Sequence, residues 1–173
     1  DANPDPKLAA HDIRETFGRM AMNDYETAAL VAGGHTFGKS HGAASESYKG
    51  PDPEASRLQD QSTGWNSGYK SGKGVDTISS GIEGAWTQNP IQWDMGYLDC
   101  LYGHEWELTK SPAGAHQWTP KKNGQQIKMV PDAHQKGVLH PPMMQTTDIS
   151  MKVDPSYGPV SYTHLRAHET AQY

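Results

Sequence analysis

The sequence predicts a mainly α-helical domain interrupted by long loops, and three observations carry that prediction. Two early segments place apolar residues at helical spacing. Asn23 followed by Glu26 carries the signature of a helix-starting capping box. No segment shows a convincing alternation of apolar and polar residues of the kind that marks a half-buried strand. The 173 residues suffice for one ordinary domain. Only 34% are hydrophobic, and 18 Gly with 12 Pro supply the loops.

Asn3-Pro4-Asp5-Pro6 is a turn-forming lead-in. From Lys7 to about Met22 the pattern is helical, with Leu8, Ile13, Phe17, Met20 and Ala21 near one face. A second helix is expected from Asp24 to about Gly33, ended by Gly33-Gly34, so that His35 follows its C-terminus. Residues 42–76 form a long polar excursion rich in Gly, Ser and Pro. Asn89-Pro90 opens a third helical pattern with Ile91, Met95, Leu98 and Leu101 on one face, and Gly103 stops it. From Glu107 to Pro142 the chain reads as loop, with one short strand possibility at residues 126–130. A further helix is expected over Asp148–Val153, before Asp154-Pro155.

Composition excludes several function classes. No stretch approaches ~18 consecutive apolar residues, so no membrane span is expected. The start "DANPDPKLAA" has no basic residue followed by an apolar core, so no secretory leader is expected. A net charge of −5 argues against nucleic acid as a partner. The single cysteine, Cys100, rules out an internal disulfide and suits a reducing, cytoplasmic compartment. Among Leu98, Leu101 and Tyr102 it reads as a small buried residue rather than a nucleophile.

The stretch "LVAGGHTFGKSH", Leu30 to His41, bears two readings. Gly33 to Ser40 fits G-x-x-x-x-G-K-[ST], a phosphate-binding loop. That loop needs a strand before it and a helix after it. Here a capped helix former, "NDYETAALVA", precedes it, and no apolar helical face follows. A P-loop nucleotide binder is therefore only a remote alternative. In the other reading, His35 is a metal ligand at the end of an apolar helix.

Three ordered segments favour the second reading. "GGHTFGKSH" resembles the proximal-histidine segment of the intracellular haem peroxidases. "SSGIEGAWTQNP" is similar to the segment that sets a Trp beside that His. "MQTTDISMKVDPSY" is similar to the segment bearing the Asp that hydrogen-bonds it. "NPDPKLAAHDIRETFGRMAMND" and "LYGHEWELTKSPAGAHQWTPK" resemble the catalase-peroxidases in particular. The resemblance runs from Asp1 to about Val160, within which His116 stands where most relatives carry an aromatic residue.

This resemblance implies a partial haem-peroxidase-type helical domain with long loops. It also implies a haem b cofactor whose iron takes His35 as axial ligand, with Asp148 accepting from the other ring nitrogen. Trp86 packs against that pair as an oxidisable ring; by composition alone it is a core aromatic. Asp148, by position alone, is a helix N-cap. Met20 matches the methionine that in catalase-peroxidases joins a covalent Met–Tyr–Trp adduct; by pattern alone it is a core residue of the first helix. Gly34, Gly38, Lys39, Ser40, His41 and Ser80 match positions around the proximal haem face and its propionates, where a cation and small donors suit carboxylates.

The implied activity is decomposition of hydrogen peroxide by catalase and peroxidase reactions. The expected partners are peroxide and small organic electron donors, in a homo-oligomeric parent enzyme. No segment resembles the family's distal Arg, Trp and His. Residues 1–160 therefore correspond to the proximal half of the catalytic domain, and the alternative is a truncated piece without enzymatic activity. Residues 161–173, "SYTHLRAHETAQY", are similar to translated adapter sequence and are expected to be a non-native tail.

Overall fold

The computed structural model describes residues 3–42, 44–48, 50–51, 53–58, 67–78 and 81–170, with 53 and 164–170 described for the backbone alone. Among the described residues, five helices and four short strands are joined by long connections: α1 (Pro6–Gly18), α2 (Asp24–Thr36), α3 (Gly96–Gly103), β1 (Trp106–Lys110), β2 (His116–Pro120), β3 (Val130–Pro131), β4 (Leu139–His140), α4 (Thr146–Val153) and α5 (Tyr157–Thr170). Single 3₁₀ turns at Glu46–Tyr48, Pro53–Ala55 and Gly74–Asp76 punctuate the long polar excursion.

α1 starts because Asp5 accepts from the Lys7 amide at 2.8 Å and Pro6 needs no hydrogen-bond partner there. It ends at Gly18, short of Met22. The Phe17 carbonyl collects the amides of Met20 and Met22, and Ala21 turns with φ +60°. Met20 thus lies in a turn and is 56% exposed, not on a core face as expected. Ala10 and Ile13 carry the buried face.

α2 begins with the expected capping box, Asn23 and Glu26 bonding each other's backbone at 2.9 and 3.0 Å. It does not stop at Gly33-Gly34 but continues to Thr36, so His35 sits in its last turn rather than beyond it. Both glycines adopt helical geometry, and the Thr36 hydroxyl closes the turn on the Ala32 carbonyl at 2.6 Å. The reversal comes at Gly38, whose φ of +88° favours glycine.

The third helix starts at Gly96 rather than at Asn89-Pro90. Residues 89–95 form turns that leave Ile91 85% exposed despite its helical spacing. Asp94 Oδ1 accepts the Gly96 amide at 2.8 Å, and Leu98 and Leu101 are buried as expected. At the other end, Lys152 of α4 donates to the carbonyls of Leu101 and His104 at 3.1 and 2.7 Å, satisfying groups that a helix end leaves open.

The stretch read as loop after α3 contains an antiparallel hairpin, β1 with β2, in register from Trp106↔Pro120 to Lys110↔His116. Its turn is held by Ser111, whose amide donates to Ala115 O and whose hydroxyl accepts from Ala115 N, while Gly114 takes φ +89°. Of the short strand expected at 126–130, only Val130 pairs, in β3 with β4.

α4 packs on α1 and α5, and α2 on α3 and α5, around Ile13, Ala28, Trp86, Tyr97, Leu101, Met144 and Ile149. α5 continues across the expected boundary at residue 160, with Ser161 buried. Arg14 clasps the bundle: its guanidinium reaches Asp24 at 2.9 Å and Asp154 at 2.6 Å and lies over the Tyr157 ring at 4.2 Å. No helix among the described residues is long and apolar enough to cross a membrane.

Candidate active site

Short backbone bridges, rather than named strands, assemble the site. After α2, Ser40 pairs antiparallel with Gly84 through bonds of 2.9 and 3.1 Å, and Gly42 pairs with Ile78. On its other side, the Gly84–Ala85 segment receives the Met143 amide at 3.0 Å. Met144 in turn pairs with Trp118. These links bring the chain after His35, the chain before Trp86 and the chain before Asp148 side by side. Gly42 allows the closest approach: a Cβ there would lie 2.1 Å from the Gly81 carbonyl oxygen.

At the junction stands Asp148, fully buried and at the N3 position of α4 rather than at its N-cap, which is Gln145. Its Oδ1 faces His35 Nδ1 at 2.7 Å and the Tyr97 hydroxyl at 2.8 Å. Its Oδ2 accepts from Trp86 Nε1 at 2.8 Å and from the Gln145 amide at 2.7 Å. A carboxylate has about four acceptor positions, and all four are filled. Two of the donors, the indole N–H and the backbone N–H, cannot accept, so the group serves them as an acceptor. These bonds offset the cost of burying a charge.

The carboxylate fixes the imidazole tautomer. With Nδ1–H donated to Oδ1, His35 presents the lone pair of Nε2 outward. Its ring stacks on Trp86, with centroids 4.2 Å apart and planes 16° from parallel, and meets Tyr97 edge-on at 5.8 Å. The His35 side chain remains 25% exposed although its partner is fully buried, so one edge is reachable from outside. Burial, and next the Asp148 charge, hold the Tyr97 phenol proton on far above the ordinary range.

A haem would ask the protein for one nitrogen ligand to its iron, the macrocycle itself supplying the rest. An imidazole held by a carboxylate at Nδ1, with its side chain still partly exposed, fits that need. Among the described residues no three His, Cys, Asp or Glu side chains gather to hold a bare metal ion. Phe37, two residues beyond His35, stacks on Trp93 at 5.3 Å, and the exposed pair adds apolar surface there.

The other candidate residues divide. Gly34 lies in α2, where an added Cβ would meet open space. Gly38 makes the reversal and donates its amide to Pro90 O at 2.6 Å. Ser40 contributes its backbone to the bridge with Gly84. Lys39 directs its ammonium to Glu83 at 2.6 Å, and the other Glu83 oxygen accepts the Gly42 amide at 2.6 Å. His41 is half-buried, 5.5 Å from the His134 ring, with burial chiefly lowering its pKa. Met20 lies in its turn at the end of α1. Ser80 lies outside the described residues. Burial pushes the Cys100 thiol up to about 12, which leaves it inert as a nucleophile.

The phosphate-loop pattern sits on the wrong scaffold: α2, not a strand, delivers Gly33, and Lys39 is already paired. Sequence reasoning missed Tyr97. A buried tyrosine needs a partner for its hydroxyl, yet nothing in "DMGYLDC" says which one.

Comparison with known proteins identifies the family. A family model described as Peroxidase matches residues 1–164. A catalase-peroxidase of Gloeobacter violaceus is 62% identical over 162 residues, 93% of this chain. One from Koribacter versatilis is 60% identical over 173 residues, 99% of the chain, and one from Acaryochloris marina is 58% identical over 165. The chain spans 22% of the length of each of these relatives. With the match running through His35, Trp86 and Asp148 and nearly from end to end, this chain belongs to the peroxidase family.

Proposed function

We propose that residues 1–160 form the proximal half of a haem b peroxidase domain, and that the parent protein is a catalase-peroxidase that decomposes hydrogen peroxide with small organic electron donors. One observation carries the reading: His35 Nδ1 is bound to a fully buried carboxylate at 2.7 Å while its ring lies flat on Trp86. When bound, haem supplies the redox chemistry on peroxide. His35 binds the iron through Nε2. Asp148 holds the proton on Nδ1, keeps the ring in one tautomer and makes Nε2 a stronger donor. Trp86 covers one face of the ring and excludes water from the His35–Asp148 bond. The parent is read as a cytoplasmic homo-oligomer; within this chain the one cysteine, Cys100, is buried and unpaired, which suits a reducing compartment.

The test adds haemin to the 173-residue chain and compares it with His35→Ala. A Soret band that shifts on binding, and is lost in the variant, is the expected result. Haemin binding equal in both would overturn the assignment of His35. Peroxide turnover by this chain is expected to be negligible. Nothing in it resembles the distal acid–base residues, and positioned acid–base groups alone contribute ~10²–10⁴-fold.

A further inference from the structure

Tyr97 has no part in the reading above, yet its hydroxyl shares Oδ1 of Asp148 with His35 Nδ1, at 2.8 and 2.7 Å. Tyr97 and Asp148 are buried, 1% and 0% exposed, so the bond from the phenol donor to the carboxylate is shielded from bulk water. Two donors on one oxygen compete: density drawn toward the phenol proton is withheld from the imidazole. We propose that Tyr97 is a positioning residue that limits how far Asp148 can polarise His35, and so sets the donor strength of Nε2.

Geometry supports a tuning role over simple packing. Tyr97 lies in the first turn of α3, whose Gly96 amide is held by Asp94 Oδ1, so the hydroxyl is carried on a pinned helix start. Its ring meets His35 edge-on, which holds the donor and the imidazole in one fixed relation. Trp86 and Gln145 occupy the opposite oxygen. Among the described residues, Tyr97 is therefore the one donor, besides the imidazole itself, on the oxygen that faces His35.

The effect on an iron rests on the haem reading, but the effect on the hydrogen bond does not, and the experiment separates them. In the full chain without haem, the His35 Nδ1–H proton, assigned by its loss in His35→Ala, is followed by NMR. Tyr97→Phe keeps the ring and removes the competing donor, so this resonance is expected to move downfield. A 3-fluorotyrosine at position 97, a stronger donor of nearly the same shape, is expected to move it upfield and serves if the phenylalanine variant does not fold.

With haemin bound, Tyr97→Phe is expected to favour ferric over ferrous iron about tenfold, the low end for outer-shell partners of a ligating His. That corresponds to a midpoint lower by about 59 mV. A purely structural tyrosine would lower the melting temperature and leave both readouts where they were, and that result overturns the proposal. An Nδ1–H shift in the expected direction without His35-dependent haem binding would uphold the Tyr97 coupling and reject the haem reading.

Discussion

Exchanging one oxygen of Asp148 for an amide NH₂ reverses half of its hydrogen-bonding capacity. In Asp148→Asn the amide oxygen must stay with the two obligate donors, Trp86 Nε1 and the Gln145 amide, so its NH₂ faces His35 and Tyr97, and the imidazole has to switch tautomer and the phenol to turn and accept. Trading hydrogen bonds to a charged group, about 1.5–3 kcal/mol each, for neutral ones of about 0.5–1.5, the variant is expected to lose about 2–4 kcal/mol of stability. Urea unfolding measures it, and a loss below about 1 kcal/mol would mean that the carboxylate is less tightly held than its geometry implies. At this scale His35, Trp86 and Asp148 were legible because each lies in a distinctive local motif, and the fold brings them together. Tyr97 was not, because a buried phenol looks like any core aromatic until its partner is known. Nor was the Lys39–Glu83 pair, since nothing in sequence tells a lysine awaiting an anion from one already matched.

The elements were legible where local rules and tertiary packing agree. The capping box of α2 and the Gly103 end of α3 are legible because residues close in sequence decide them without tertiary partners. The start of α3 was misread: Ile91 has helical spacing, but no partner surface covers it. The β1–β2 hairpin escaped notice because its two faces do not divide by polarity: Leu108 is largely exposed while Gln117 is buried, its side chain bonded to the backbone of Glu83 on both sides. Two glycine substitutions test the element scale in opposite directions. Gly42→Ala drives a methyl into the backbone of Gly81 and is expected to cost about 3 kcal/mol, in the upper range for overpacking. Gly34→Ala meets open space on a helix and is expected to gain about 0.5–1 kcal/mol. Equal effects in thermal unfolding would contradict the bridge that aligns the site.

For the whole molecule, Arg14 joins α1 to the start of α2 and to the C-cap of α4. Its hydrogen bond holds the Asp154 carboxyl down at about 2, against an ordinary 3.8. A depressed carboxylate stabilises the fold above its unfolded value, and that contribution is lost as pH falls through the folded one. Stability is therefore expected to drop between pH 3.8 and about 2. Arg14→Ala should flatten the Asp154 part of that drop and cost about 1 kcal/mol at neutral pH, the upper range for a partly exposed ion pair. Asp132, held low first by the His134 amide, adds a share that does not depend on Arg14. Urea midpoints of both proteins across the acid range decide it, and parallel profiles would rule the clasp out.

The Asp148 junction also has a kinetic meaning. Its side-chain partners lie 113, 62 and 51 residues away along the chain, so no local segment can form it in advance. Closing loops of that length costs entropy that is recovered only when the surrounding core has condensed. The Trp86 indole proton, locked on a buried oxygen, can then meet deuterated solvent only when the domain opens as a whole. In deuterium oxide it should be among the last protons to exchange, at a rate that tracks global unfolding, and so provides a clock inside the site for the stability of the entire fold.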